Sequence, residues 1–479
     1  MKQYSIFNKK TFFKDVIHDS IEVTEVARSI IDTPIFQRLR NLHQLGVCYF
    51  ILPNANNNRF EHSIGTYHLA GLLLDKIVKN SSSEQINNSL VQVDFIKNYL
   101  VRNFELTDTD ENNIIFLKSI NTTLLDDYLI ELIKIAGLVH DIGHGPFSHL
   151  FDEWIHSLDS NISHSRLAEH ESRSVLLLKE IIANKDIVID DEKYHMSEFI
   201  DDEAFEFISE LINPSESTPK NFIFQIISNS LNGLDVDKLD YLCRDSFYFG
   251  IGKPFDLSRV ISHVKVIGGN ISFPEKIAYE IYMVFRSRYD LHKQFYTHKT
   301  NICIDYMIRD ILENIDPILK ISKNIQEENI SKFVDLVDHT ILNTASILKN
   351  FDLIYSVWKK QIDSIQKIIE RINNRDLYKC IYSESFYVGE QISNSELYER
   401  FKTSMSHNSE FDDEFNFDSK NVKVVKLLIG MLSGNKSHPL DTVYFYDKYD
   451  NSAFLEKSKI SHFITTLHQE IIYYVIYKK

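Results

Sequence analysis

The sequence predicts a mainly α-helical protein, a helical bundle followed by a smaller mixed α/β C-terminal lobe. Three observations predict it. Backbone breakers are scarce, with 9 prolines and 14 glycines in 479 residues rich in Leu, Ile, Lys and Glu. Apolar residues recur at helical spacing over long stretches, and a hydrophobic content of 43% supplies one large core with appendages or two cores. The aromatic content of 12%, from 32 Phe, 24 Tyr and 2 Trp, argues against a disordered chain.

Taken in order, residues 12–50 carry helical periodicity around Val26, Ile30, Phe36, Leu39 and Leu42, with Thr33 as an N-cap and Pro34 at the first helical position. The turn-like run Pro53–Asn58 leads into a helix from Arg59 to Lys79. Residues 80–126 are polar with short apolar patches and read as an inserted, partly helical excursion. Residues 127–142, DYLIELIKIAGLVHDI, are apolar on nearly every face, as a buried helix is. Gly143, Gly145 and Pro146 interrupt it, and Pro146 can open the next helix. Further helices are expected at 165–183, 221–246 and 275–314, with a strand pair at 264–267 and 271–273 around Gly268-Gly269-Asn270. Two helices are expected within 325–375, an acidic loop at 407–420, a strand at 441–446 and a terminal helix at 461–477. These elements give a core at 1–300, interrupted by the 80–126 excursion, and a second lobe at 301–479 with short strands.

Lys and Arg number 52 against 68 Asp and Glu, a net charge of −16, which excludes a general nucleic-acid or anionic-membrane binder. No window approaches a membrane-spanning run, and the N-terminus lacks the apolar stretch of a signal peptide. Cys48, Cys243, Cys303 and Cys380 are far apart and form no CxxC pair, so buried thiols in a reducing, cytoplasmic setting are expected.

The densest chemistry lies in LVHDIGHGPFSHLFD. His140 and Asp141 can reach one cation through imidazole nitrogen and carboxylate oxygen, and His144 lies at i+4 from His140. A lone His-Asp pair is more often a satisfied hydrogen bond than a ligand pair. Here, however, His62, His140, His144, His149 and His170 all lie within or beside apolar helices, and imidazoles buried together need an ion to organise them. With Asp237 downstream, a two-His, two-Asp set is available, suited to Mn, Fe, Zn or Mg, with coordination positions left for water and a phosphoryl oxygen. Asp237, Tyr241 and Asp245 recur at i, i+4 and i+8 beside Lys238; the bland reading is a solvated face. Arg288, His292, Tyr296 and Lys299 fall on one face by the same arithmetic, as a triphosphate cradle or an ordinary charged helix. Arg59, three residues before His62, can bring a guanidinium to a phosphate or pair with an acid.

The segments DTPIFQRLRNLHQLG, NRFEHSIGTYHLAG, HDIGHGPFSHLFD, HESRS, NGLDVDKLDYLCRDSFYFGI and RSRYDLHKQFYTHK resemble, in order, the SAM-and-HD-domain deoxynucleoside triphosphate triphosphohydrolases and their bacterial dGTPase-like relatives. The resemblance covers about residues 14–305 and implies an HD-domain helical bundle without a SAM module. It implies a divalent metal on His62, His140, Asp141 and Asp237. It implies a triphosphate clamp from Arg59, Lys238, Tyr241 and Arg288, α-phosphate contacts from His144 and His149, and proton transfer to the leaving group by His170 with Asp152. Gln44 and Asp245 are similar to the family's contacts to the sugar 3′-hydroxyl, and Leu45 and Tyr296 to the residues that crowd the 2′ position. The implied reaction is attack of an activated water at the α-phosphate, giving deoxynucleoside and tripolyphosphate. A homodimer or homotetramer is implied too. Asp32, Gln37 and Arg40 match guanine-reading positions of the family's regulatory nucleotide site, and Arg259 and Lys276 match basic positions around it. Against that site, the stretch between Asp19 and Asp32 is shorter, Pro274 replaces an arginine, and Asn451-Ser452-Ala453 lacks another, so activation by GTP or dGTP does not follow. Two other readings stay open: an HD nucleotidase or phosphodiesterase acting on another nucleotide, and a non-catalytic nucleotide-binding sensor.

Overall fold

Helix starts in the computed structural model follow the capping rules. Asn58, Asp126, Asp201 and Asp235 each accept a backbone N–H two or three residues into the turn they open, starting helices Arg59–Asn80, Asp127–Val139, Asp202–Ile212 and Val236–Tyr248. The structure describes residues 9–106, 110–189, 192–388, 392–405, 421–432 and 437–478. The expected acidic loop at 407–420 lies outside the described residues. Helix dominates, with small sheets.

Two compact units form. The first comprises 1–284, 320–340 and 439–464, and the second 285–319, 341–438 and 465–479. The chain therefore passes between units repeatedly, where the sequence suggests one cut near residue 300. In the first unit, Arg59–Asn80 packs against Asp127–Val139 and Val236–Tyr248. The Thr66 hydroxyl donates to the Gly137 carbonyl at 2.7 Å, a close approach that the missing side chain of Gly137 permits. The 80–126 excursion is helical over Ser83–Leu90, Asp94–Asn103 and Glu111–Ser119.

Several expectations need correction. The 12–50 helix begins at Glu25; Lys10–Asp15 and Asp19–Thr24 form an antiparallel hairpin whose exposure alternates, a period-two signal hidden beside the stronger helical one. The 165–183 helix starts later, at His170. Between 221 and 235, Asn229 and Gly233 (φ +69°) turn the chain, so a regular helix starts only at Val236. The 275–314 helix is broken by a π-turn at His292–Tyr296, where the Thr297 hydroxyl donates to the His292 carbonyl at 2.7 Å. Lys299 opens a separate helix, so Arg288, His292, Tyr296 and Lys299 do not share the continuous face expected of them. The strand pair near 268 is present as Lys265–Ile267 and Asn270–Pro274, and of residues 441–446 only Tyr444–Tyr446 is strand.

The terminal helix expected at 461–477 is instead the strand Gln469–Tyr477. It is the central strand of a three-stranded antiparallel sheet in the second unit, between Lys379–Tyr387 and Val422–Gly430. Because both faces are covered, its apolar run shows neither helical nor alternating period. Ile476 is fully buried there. The Ile476→Ala variant should lose about 2–5 kcal/mol, read as a lower urea midpoint by circular dichroism.

Candidate active site

The site is built where three elements of the first unit meet. His62 comes from the first turn of the Arg59–Asn80 helix, His140 and Asp141 from the end of Asp127–Val139, and Asp237 from the first turn of Val236–Tyr248. Nε2 of His62 lies 3.1 Å from Asp237 Oδ1 and 3.5 Å from Asp141 Oδ2. Nε2 of His140 lies 3.4 Å from Asp141 Oδ1 and 3.5 Å from Asp237 Oδ1. The structure therefore brings the four sequence-predicted ligands together.

Their other contacts fix the imidazole orientation. His140 Nδ1 sits 2.8 Å from the Gly137 carbonyl, which can only accept, so Nδ1 carries the proton. His62 Nδ1 lies 2.8 Å from Asp240 Oδ2. Each ring thus turns Nε2 inward, and neither Nε2 makes a hydrogen bond. Two buried nitrogen lone pairs facing two carboxylates are what a divalent cation requires, and His62, His140 and Asp237 could hold a metal. The electrostatics agree. Burial pushes the His62 imidazole down, but the adjacent carboxylates of Asp237 and Asp240 outweigh it and raise it to about 10. Burial likewise opposes, and Asp141 and Asp237 overcome, the rise at His140. The negative potential that holds a proton there holds a cation equally.

A second cluster flanks the first. His144 stacks on His170 with ring centroids 3.9 Å apart, and His149 meets both edge-on at 5.0 and 5.5 Å. Asp152 accepts from His170 Nδ1 at 2.8 Å and pairs with Arg173. These four side chains could also hold a metal by proximity alone. However, Arg173 sits on the cluster's one carboxylate, and burial followed by the charges of Arg59 and His170 drives His144 well below its ordinary value. A positive field of this kind suits an anion such as a phosphoryl group.

Arg59 connects the clusters. It pairs with Asp141, and its Nε donates to the Ser148 hydroxyl at 2.9 Å. Lys238 Nζ donates to Asp235 at 3.0 Å and stays charged, because Asp235 and Asp237 outweigh its burial. Tyr241 is half-buried on the same helix. Gln44 and Asp245 meet through Asn57, whose carbonyl accepts from the Gln44 N–H at 2.9 Å and whose side-chain amide donates to Asp245 at 2.9 Å. Leu45 is half-buried beside Gln44. Arg288 and Tyr296 belong to the second unit, where Arg288 donates to the Gly430 carbonyl at 2.6 Å and Tyr296 meets His292 edge-on at 4.8 Å.

The five residues matched to a regulatory site form two groups. Arg40 Nε donates to Gln37 Oε1 at 2.9 Å and its guanidinium lies 3.5 Å over the Phe60 ring, while Asp32 ends the Glu25–Ile31 helix. Arg259 pairs loosely with Glu280 at 3.6 Å, and Lys276 is exposed. Among the described residues no hydrogen bond or ion pair joins the two groups.

Residues outside the sequence-predicted set shape this site. Gly143 lets the loop after Asp141 press onto the His170 helix, since a Cβ there would meet the His170 carbonyl oxygen at 2.1 Å. Buried Arg38 donates to the carbonyls of Ile142, His144 and Leu336 at 2.9 Å. Asp338 accepts from the backbone N–H of Phe147 at 2.7 Å and of His43 at 3.0 Å. Phe147 and Ser148 both have φ of +60°, so this clamp holds a strained turn. Asp240, at i+3 from Asp237, was detectable as an acid in the same short motif; Asp338 carried no local signal.

A family model described as the HD domain matches residues 120–245. An HD domain-containing protein of Acanthamoeba polyphaga mimivirus is 35% identical over 472 residues, covering 96% of this chain and 91% of the viral protein. The Dictyostelium discoideum homolog of SAMHD1, named a deoxynucleoside triphosphate triphosphohydrolase, is 32% identical over 98% of this chain and 77% of its own. Human SAMHD1, with the same enzyme name, is 29% identical over 97% of this chain and 70% of its own. The chain belongs to this HD-domain family. Among the described residues no helix is long and apolar enough to cross a membrane.

Asp152 provides a pH test. Burial raises its pKa, but Arg173 and His170 win and hold it well below the usual carboxylate value. A carboxylate so lowered stabilises the fold above its unfolded pKa of about 3.9 and loses that contribution as pH falls towards the folded value. Removing the guanidinium with Arg173→Met should move the acid-unfolding midpoint, followed by circular dichroism, to higher pH; an unmoved midpoint would contradict this account.

Proposed function

We propose that this chain is a metal-dependent hydrolase that converts deoxynucleoside triphosphates into deoxynucleoside and tripolyphosphate. One observation carries the reading: two inward-facing imidazole nitrogens and two carboxylates converge beside a separate, positively biased histidine cluster. The relatives named as deoxynucleoside triphosphate triphosphohydrolases across nearly the whole chain support the substrate class.

His62, His140, Asp141 and Asp237 hold the cation, which is manganese, iron, zinc or magnesium. When bound it supplies Lewis-acid polarisation of a phosphoryl oxygen and acidification of solvent. The surrounding side chains do the rest. Arg59, Lys238 and Tyr241 bind the triphosphate, and His144 and His149 contact the α-phosphate as charge develops on it. The bond from the α-phosphorus to the 5′-oxygen breaks, water oxygen joins the phosphorus, and His170, held through Nδ1 by Asp152, protonates the departing oxygen. Gln44 and Asp245 take the 3′-hydroxyl, while Leu45 rejects a 2′-hydroxyl by steric clash. Homo-oligomeric assembly and a cytoplasmic setting complete the reading.

The test is incubation of purified protein with each dNTP and NTP, with and without GTP, across several divalent cations, with products separated by chromatography. Tripolyphosphate should appear from dNTPs and not from NTPs, cease on chelation and return on metal addition. His140→Ala should reduce turnover at least a hundredfold, a barrier increase of about 2.7 kcal/mol. Release of orthophosphate or pyrophosphate alone would overturn the α-phosphate assignment.

A further inference from the structure

Behind His62 lies a buried network that the proposed reaction does not use. Asp240 is fully buried and places one carboxylate oxygen 2.8 Å from His62 Nδ1. Its other oxygen lies 2.7 Å from Nε2 of His18, in the turn of the N-terminal hairpin. Arg244, also fully buried, donates to both oxygens, through Nε at 2.9 Å and Nη2 at 3.0 Å. Its Nη1 reaches Asp15 at 2.8 Å. Asp15 in turn shapes the hairpin turn, accepting the backbone N–H groups of Ile17 at 2.8 Å and His18 at 2.9 Å. A carboxylate thus bridges two imidazoles and a guanidinium, and two of its three partners, His18 and His62, lie far from it in the sequence.

Space for this bridge is created by a glycine. Gly65 lies three residues after His62 on the same helix, and a Cβ there would stand 2.0 Å from Asp240 Oδ1 and 2.6 Å from Arg244 Nη2. Any side chain at 65 would displace the carboxylate.

We propose that Asp240 and the hairpin-turn residue His18 form the positioning shell of the metal centre, fixing the His62 ring so that Nε2 faces the cation. The physical reason is twofold. A carboxylate accepting from Nδ1–H excludes the tautomer that would put the proton on Nε2, and it increases the basicity of the nitrogen that ligates. Arg244 and His18 stop the carboxylate from rotating away, so the hairpin, through Asp15 and His18, becomes part of the metal centre. Neither Asp240 nor His18 touches substrate or metal; both act through His62. This inference rests on the metal-site part of the proposed function and is independent of which nucleotide is hydrolysed.

The experiment uses the full chain stripped by chelator and titrated with Mn²⁺ alone, free Mn²⁺ being followed by electron paramagnetic resonance. Wild type, His62→Ala, Asp240→Asn, His18→Gln and Gly65→Ala are compared, together with Arg102→Ala as a surface control. Thermal unfolding is recorded in chelator for each. Asp240→Asn should weaken Mn²⁺ binding about 10–100-fold, Gly65→Ala should weaken it as well, and His18→Gln should weaken it by a smaller factor. At saturating Co²⁺, the visible absorption of Asp240→Asn should differ from wild type, a change that mere loss of stability would not produce. Wild-type affinity and an unaltered cobalt spectrum in Asp240→Asn would overturn the proposal. If that variant does not fold, His18→Gln, which leaves the carboxylate and all four ligands in place, decides: wild-type affinity overturns the proposal, and weakened affinity supports it. Failure of the wild type to bind Mn²⁺ would remove the metal centre itself, whereas binding that His62→Ala abolishes and Asp240→Asn leaves intact would remove only the positioning shell.

Discussion

Acidic and basic side chains are concentrated out of water around His62, and the rest of the first unit is arranged to make that tolerable. An isolated buried carboxylate or imidazolium is costly, and breaking one partner of a buried pair typically costs about 3–5 kcal/mol. Here Asp141 faces Arg59, Asp240 faces Arg244, and Asp152 faces Arg173, each guanidinium fully or almost fully buried. Two of these arginines also place donors on backbone or hydroxyl oxygen around the site, Arg59 on Ser148 and Arg173 on the carbonyls of Gly143, Leu167 and Ala168. Charge balance and loop geometry are therefore one problem, solved by the same side chains.

That arrangement separates two chemical environments within a short stretch of chain. Around His62 and His140 carboxylates dominate, and the potential favours a cation. Around His144, burial is reinforced by Arg59 and His170, so the imidazole is kept neutral. Metal-assisted cleavage of a phosphate needs this juxtaposition, a place for positive charge beside a place for negative charge. Residues 140–149 contribute to both, which explains why the segment must turn so sharply at Phe147 and Ser148.

Much of this was legible in the sequence because the four converging side chains lie in short motifs, two of them at the end of a strongly apolar helix. His140-Asp141 ends a run buried on every face, and Asp237 follows an Asp N-cap, so element and chemistry coincide. Elements whose character comes from distant partners were not legible. Gln469–Tyr477 becomes a strand because two other strands cover its edges, and its apolar run alone does not distinguish strand from helix. The hairpin at 10–24 has strand alternation in only a dozen residues, next to a strong helical signal. Arg288 and Tyr296 were aligned on an unbroken helix, and the π-turn at His292–Tyr296 removes the premise. Asp338 and Arg38 act on backbone groups, which leave no pattern in the side-chain sequence.

The clamp made by residues 333–338 has a consequence for how the molecule is made. Arg38 reaches the Leu336 carbonyl across 298 positions, His43 reaches Asp338 across 295, and Phe147 reaches the same carboxylate across 191. Pairings so remote along the polymer form late, because the intervening length must first be brought to order. On the ribosome, the turn at Phe147-Ser148 stays without its Asp338 brace until more than two-thirds of the polypeptide has been synthesised. Assembly of the active loop is thereby deferred, so that catalytic competence waits on nearly complete biosynthesis of the first unit.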